Sequence, residues 1–459
     1  MAKPFDLQLF HNCRQIFQCG IPRYSKVAAG LLILVGGPLS VLAQNPAKTG
    51  SGPAYHSIED FITVGLTENP AILAARARWE AALMEIPAKR ALPDPSLGYV
   101  HYLESVETRV GPQQGALNIS QRLPWLGKLR LEGRIGELKA DVVYYQFLGT
   151  AQRVAAQIED AYWDYYYLLQ ALDITEKNLE LLRNWEQVVL SKYKAAQAGH
   201  PDIIKTQIEV LSLEDQLTGL QQRQRLLLER LSAATGRQLT AASITVKEPT
   251  VPEPALGIDS LLAMGFQYNP DLLGTHVAAN LAETAVKRTR LNYLPDIMIG
   301  GNSIFTGKNP MLAADDPENG KDPLMISVGL SLPIQFRKYK SLEQSARIEQ
   351  RSAEFLVRDK ESQLRSQLEL VFFELEDATR KVRLYKEALI PRAEQSLLTS
   401  EKAYIGDRVD FLTLIEAQRV LLNYQLSYQK ALTEEARHGA QLKALLGLYS
   451  VNTSNSEEK

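Results

Sequence analysis

Leu364, Leu368, Val371, Leu375, Ala378, Val382, Tyr385 and Leu389 follow one another at alternating spacings of four and three residues. A stripe with that period keeps one face of a helix against a partner and predicts an unbroken coiled-coil seam. Val154, Ile158, Ala161, Tyr165, Leu168 and Leu172 show the same pattern earlier in the chain, and Leu213, Leu217, Leu220, Gln224, Leu227 and Leu231 read as its return helix. No proline interrupts residues 125 to 200. At 1.5 Å per residue such a helix reaches about 100 Å, which suits a rod or tube and not a compact domain. The helical runs stop at Ala198–Asp202 and at Ile405–Asp410, where a glycine can close one helix and an aspartate cap the next. Two antiparallel helical hairpins are therefore expected.

A second period, of two, appears where Ile326, Val328, Leu330 and Leu332 alternate with Ser327, Gly329 and Ser331. Leu117, Ile119 and Leu123 alternate in the same way with Asn118, Ser120 and Arg122, although Gln121 falls on the apolar side. Partners lie upstream at Leu97–Leu103 and Ile297–Phe305, so strands are expected over about 95–105, 115–124, 296–306 and 323–333. Strands of about ten residues with one greasy face fit the wall of a transmembrane barrel, in which closure satisfies every backbone donor. Soluble sandwiches alternate as well. Four strands cannot close a barrel, and an eight-stranded one is filled by its own side chains. Twelve strands from three identical chains make the smallest symmetric wall with a passage.

The two halves follow one plan. Glu68-Asn69-Pro70 recurs as Tyr268-Asn269-Pro270, Leu92-Pro93-Asp94 as Leu294-Pro295-Asp296, Leu123-Pro124 as Leu332-Pro333, and Gly199 with Asp202 as Gly406 with Asp410. Four matches in order at an offset of about 200 residues indicate an internal duplication. The first repeat then covers 44–235, with its hairpin over about 126–235; the second covers 258–449, with its hairpin over about 338–447. Residues 236–257 hold three prolines and read as an extended linker, and the polar tail 450–459 reads as disordered. Val27–Val41 is an uncharged apolar run preceded by Arg14, Arg23 and Lys26, which reads as an export signal cleaved after Ala43. Both cysteines, Cys13 and Cys19, precede that run, so the exported chain would carry neither disulfides nor thiolate metal sites.

Charge and side-chain chemistry narrow the function further. A net charge of -2 gives no basic footprint for nucleic acid. The six histidines show no metal-ligand spacing, and phosphate loops, nucleophile elbows and dinucleotide fingerprints are missing, so neither an enzyme nor a cofactor is expected. The aromatic cluster at Tyr162–Tyr167 could stack a ligand, but on a helix it reads as packing.

The order of short helix, Asn-Pro helix, two strands, Leu-Pro and long hairpin, given twice, resembles the TolC-like outer membrane efflux family across nearly the whole exported chain. Ile119-Ser120-Gln121-Arg122-Leu123-Pro124-Trp125-Leu126-Gly127-Lys128-Leu129 is similar to the strand-to-helix junction of the branch paired with heavy-metal cation exporters. Asp202–Glu209 resembles that branch's return helix. The resemblance implies a mainly α fold with a small β part: a homotrimer with a twelve-stranded barrel in outer-membrane lipid and a helical tube in the periplasm of a Gram-negative cell. Implied partners are a periplasmic adaptor (membrane fusion) protein and an inner-membrane pump of the resistance-nodulation-division type. By position at the hairpin tips, Asp202, Asp407, Arg408 and Asp410 become pore-mouth or gate candidates, and Gly199 and Gly406 adaptor contacts. The same charges also read as helix caps and solvated turns. The Gly-to-Asp spacing of three and four residues is shorter than in the family's best-known members. A periplasmic coiled-coil adaptor or scaffold and a type I secretion exit duct are the rival readings.

Overall fold

The computed structural model describes residues 57–241, 244–249, 257–313 and 315–450. The export signal, both cysteines, part of the linker and the tail lie outside the described residues. Two short helices, α1 (Ile58–Glu68) and α2 (Pro70–Arg90), precede strands β1 (Ser96–Val106) and β2 (Gln113–Leu123) and the long helices α3 (Lys128–Lys194) and α4 (His200–Thr235). The same order recurs as α5 (Ile258–Tyr268), α6 (Pro270–Arg290), β3 (Ile297–Thr306), β4 (Leu324–Leu330), α7 (Phe336–Leu384), α8 (Ile390–Ile405) and α9 (Phe411–Leu445). Among the described residues no helix is long and apolar enough to cross a membrane.

The Asn-Pro pairs show how local chemistry sets this plan. Asn69 caps α2, its Oδ1 accepting from the Ala71 N–H at 2.8 Å, and Pro70 fills the first helical position, where a missing N–H costs nothing. The other end of the same amide donates to the Ala234 carbonyl at 2.7 Å, satisfying the last turn of α4. Asn269 does both jobs again, accepting from Leu272 N–H and donating to the Leu445 carbonyl at the end of α9, each at 2.9 Å. Each asparagine thus joins the start of its repeat's second helix to the end of its return helix.

The four strands form one antiparallel sheet in the order β1-β2-β3-β4, so strands from the two halves meet at the β2–β3 pair. β4 stops at Leu330, before the Leu332 that alternation would include: the Ser331 N–H turns to the Asp296 carbonyl at 2.9 Å, and Pro333 has no donor to extend a ladder.

The helices bury their apolar stripes in three clusters. One gathers α1, α3 and α4 around Phe61, Ile158, Tyr162 and Leu231; a second joins α5, α7 and α9 through Leu261, Leu368 and Leu442; a third, near the hairpin ends, holds Leu182, Trp185, Tyr404, Phe411 and Leu414. The Tyr162–Tyr166 stretch packs, with Tyr162 and Trp163 edge to face at 4.7 Å. The seam of the second hairpin departs from expectation. At Tyr385–Leu389 the helix widens into one π turn, so that the seam is interrupted between Ala378 and Ala393, the nearest buried residues on either side. The physical reason is Pro391, whose ring would collide with the carbonyl four residues back in a regular helix. With the turn widened, the Ile390 N–H donates to the Tyr385 carbonyl instead.

Candidate functional site

Three places carry chemistry: the sheet, its junction with the helices and the hairpin tips. The cross-strand register sorts the sheet into two unlike faces. Tyr99 pairs with Leu117, Leu117 with Ser303 and Ser303 with Leu324, which puts Leu97, Tyr99, Leu117, Ile119, Ile297, Ile299, Leu324, Ile326 and Val328 on one side. That side is bare: Ile326 is 81% exposed and Val328 72%. Gln121 interrupts it without wasting its amide, which donates to the Pro93 carbonyl at 2.7 Å. The other face carries Ser96, Gly98, Asn118, Ser120, Arg122, Gly300, Asn302, Ser327 and Gly329, with Val100, Ala116, Met298, Ile304 and Met325 among them. Ser96 and Ser120 hydroxyls meet there at 2.7 Å, and a Cβ on Gly98 would lie 2.4 Å from the Asn118 carbonyl oxygen, so the side chain opposite dictates a glycine. Among the described residues β1 and β4 each leave one edge unpaired. Two open edges and an exposed apolar face call for something to cover them.

At the junction, Asp296 is buried just before β3 and ties the two halves together. Its carboxylate accepts from Arg122 at 2.6 and 3.1 Å, from the Trp125 N–H at 3.0 Å and from Lys128 at 2.6 Å. Lys128, itself buried, also donates to the Leu294 carbonyl at 3.2 Å. Burial pushes the Asp296 pKa up, and the bonds from Lys128, the Trp125 N–H and Arg122 outweigh it, bringing the group down to about 2. The charged residues of the Ile119–Leu129 segment thus grip the second half. Asp94, the counterpart of Asp296 in sequence, is exposed.

The tips bring some of the expected residues together. Both turns close in the same way: Ala196 and Asp407 take left-handed backbone (φ 57° and 52°), and the N–H groups of Gln197 and Arg408 reach back to the carbonyls of Lys192 and Ala403, each at 2.8 Å. Neither glycine takes the left-handed position. Gly199 sits in extended backbone before α4, its N–H donating to Asp202 at 3.3 Å, and Gly406 ends α8 at φ -86°. Asp410 caps α9, accepting from the Thr413 hydroxyl at 2.6 Å and its N–H at 3.0 Å, bonds that hold its pKa below the usual carboxylate range. Arg408 is exposed.

Sequence reasoning missed the residue that joins the two tips. Lys192, at the end of α3, donates to the Tyr404 carbonyl at 2.9 Å, the Ile405 carbonyl at 3.4 Å and the Asp407 carboxylate at 2.5 Å, and lies 4.7 Å from the centre of the Tyr404 ring. A cation placed on the last carbonyls of α8 satisfies acceptors that the helix leaves orphaned. Tyr404 is buried with an unbonded hydroxyl, and burial together with the charges of Asp202 and Asp407 raises its pKa. Asp202 and Asp407, from different hairpins, therefore act on one side chain. The Glu209–Arg419 pair links α4 to α9 farther from the tips.

Residues 63–237 match the family described as outer membrane efflux protein. Over that stretch the chain is similar to outer membrane efflux proteins. It is 19% identical over 429 residues to the cobalt-zinc-cadmium resistance protein CzcC of Cupriavidus metallidurans, covering 91% of this chain and 98% of that one. Its fold is that of the outer membrane protein VceC of Vibrio cholerae, with a TM-score of 0.70 at 17% identity over 85% of this chain and 96% of VceC. The open-state MtrE outer membrane channel of Neisseria gonorrhoeae gives a TM-score of 0.69 at 14% identity over 91% of this chain and 98% of MtrE. The efflux protein family is one of channels and not of enzymes, and it works with adaptors and inner-membrane pumps. The match over residues 63–237 supports an exit duct for efflux as the role of this chain.

Proposed function

We propose that three copies of this chain close the sheet into a twelve-stranded barrel in the outer membrane and join their hairpins into a periplasmic tube, through which substrates leave the cell passively. The observation that carries this reading is the sheet itself, with its bare apolar face and two open edges. In lipid an unpaired strand edge leaves backbone groups with no partner, so the free edge of β4 needs the β1 edge of a neighbour. Around the closed ring the face of Leu117, Ile119, Ile326 and Val328 meets lipid and the face of Ser96, Asn118, Ser120 and Ser327 lines the passage. A periplasmic adaptor or scaffold would have the hairpins but no use for that face.

Each chain's domains are read as a first repeat (44–235) and a second (258–449) joined by the 236–257 linker. The tips are the periplasmic end, where Asp202, Asp407, Arg408 and Asp410 form the pore mouth and the turns at Gly199 and Gly406 meet a membrane-fusion adaptor beneath a resistance-nodulation-division pump. The CzcC likeness and the junction segment favour divalent metal cations as cargo. The test is reconstitution of the purified chain in planar bilayers. Stepwise conductance that changes on Asp410→Lys supports a duct gated at the tips; a chain that inserts no pores overturns the reading, and unchanged conductance removes Asp410 from the pore mouth.

A further inference from the structure

Where the sheet meets the helices, a cavity of about 490 Å³ opens beside Asp296. Four cations from four elements line it: Arg122 of β2, Lys128 of α3, Arg288 of α6 and Lys338 of α7. Asp296 is the one carboxylate among the lining residues, and a second, Glu132, pairs with Arg288 at 2.6 Å. The hydrogen bonding of this cavity is one-sided. Its acceptors are spent. Asp296 takes two bonds on each oxygen, the Leu294 carbonyl takes one from Lys128, and the Asn292 side-chain oxygen takes one from Arg288 at 2.7 Å. Its donors are not. Among the described residues one Nη each of Arg122 and Arg288, the Asn292 amide nitrogen and the Tyr339 hydroxyl donate to nothing. The Lys338 ammonium, which is exposed, has only the Tyr339 ring, 5.8 Å away.

Spare donors and surplus positive charge around a cavity fit an oxyanion, which brings acceptor oxygens and negative charge together. We propose that this cavity is an oxyanion site that takes a phosphate group, held by Lys338 and by the free donors of Arg122 and Asn292. Buried Lys128 and Asp296 form its floor and keep Arg122 in place. Arg122 pairs with Met298 on the sheet face that also carries Ser120 and Ser327. That face lines the passage in the duct reading, so the phosphate is one dissolved in the duct. This last step rests on that reading, while the site itself does not. A phosphate seated there offsets the positive charge that the wall otherwise shows to a passing cation.

The experiment titrates inorganic phosphate into the full chain in a phosphate-free detergent and reads the heat of binding. Wild type is expected to saturate. Lys338→Gln removes a side chain that makes no hydrogen bond or ion pair among the described residues, so the fold is spared. It is expected to weaken binding about ten-fold, the loss of one charge-assisted bond, and Lys338→Arg to restore it. Arg337→Gln changes an exposed cation outside the cavity and is expected to bind as wild type does. No saturable heat in wild type, or equal losses at Lys338 and Arg337, overturns the site. Nanodiscs separate the two sources of a phosphate group. Equal affinity in phosphatidylcholine and phosphatidylglycerol discs supports dissolved phosphate. Loss of binding in the phosphatidylglycerol discs alone means that lipid headgroups hold the cavity, and overturns the occupant from the passage. In planar bilayers under a KCl gradient, added phosphate is expected to shift the reversal potential toward cation selectivity in wild type and less in Lys338→Gln. Equal shifts in the two overturn the effect on the passage. A chain that binds phosphate and inserts no pores keeps the site and sinks the duct reading.

Discussion

The sheet and the hairpins solve opposite problems with the same chain. In the hairpins each apolar stripe finds a partner within the chain, as Leu364, Leu368, Val371 and Leu375 do against α5 and α9, and the cores close. In the sheet many apolar residues find no partner, and Leu103, Ile326 and Leu324 stand largely bare. The difference teaches where the solvent changes. Helices satisfy their own backbone and need only bury one stripe, while strands satisfy theirs only through neighbours, so a chain with four of them is incomplete wherever water is absent.

The comparison can be broken by swapping the two kinds of face. Ile326→Arg puts a charge on the bare side, at a cost of up to about 4 kcal/mol at mid-membrane, and is expected to abolish outer-membrane assembly in cell fractionation. Ser327→Arg, one residue along on the polar side, is expected to assemble and to lower conductance. Equal defects from the two would remove the distinction between the faces.

A smaller effect is expected where sheet and helices join. Asp296→Asn leaves Lys128 buried without its counter-charge, and is expected to lower unfolding stability by about 3 kcal/mol in denaturant titrations. The group's pKa is depressed in the folded chain, so its contribution is complete above the ordinary value of 3.8 and is lost as pH falls toward about 2. The loss of wild-type stability over that window is expected to shrink in the asparagine variant.

At the tips the effects are smaller still. Lys192→Met removes a nearly buried donor with three acceptors, worth about 2 kcal/mol, and is expected to raise hydrogen exchange at the α8–α9 turn. Ala196→Gly relieves an exposed left-handed residue, and is expected to stabilise the chain by about 1 kcal/mol in the same titrations.

The sequence and the structure part at instructive places. The fold class was legible, because periods of 3.5 and two report directly on which side of an element meets an apolar neighbour. Leu213, Leu231, Val371 and Leu375 are buried as their spacing requires. The π turn was not legible, since Val382, Tyr385 and Leu389 keep the seam's spacing while the backbone between them widens; only Pro391 signalled a change. Asp94 and Asp296 stand at matching points of the repeated plan, and which of them is buried depends on the chain's path in space. The left-handed turns fell on Ala196 and Asp407, where no glycine advertised them, because the helix-closing bonds to Lys192 and Ala403 impose the conformation. Lys192 looked like any other lysine at the end of a helix until the second hairpin was laid beside it.

The most direct test of the incomplete-wall account is disulfide trapping between the free edges, with Ser96→Cys on β1 and Ser327→Cys on β4 and with Cys13 and Cys19 replaced by serine. Oxidation in native membranes is expected to link chains into covalent species no larger than three copies. Failure to link chains, or ladders that run past three, would contradict the account.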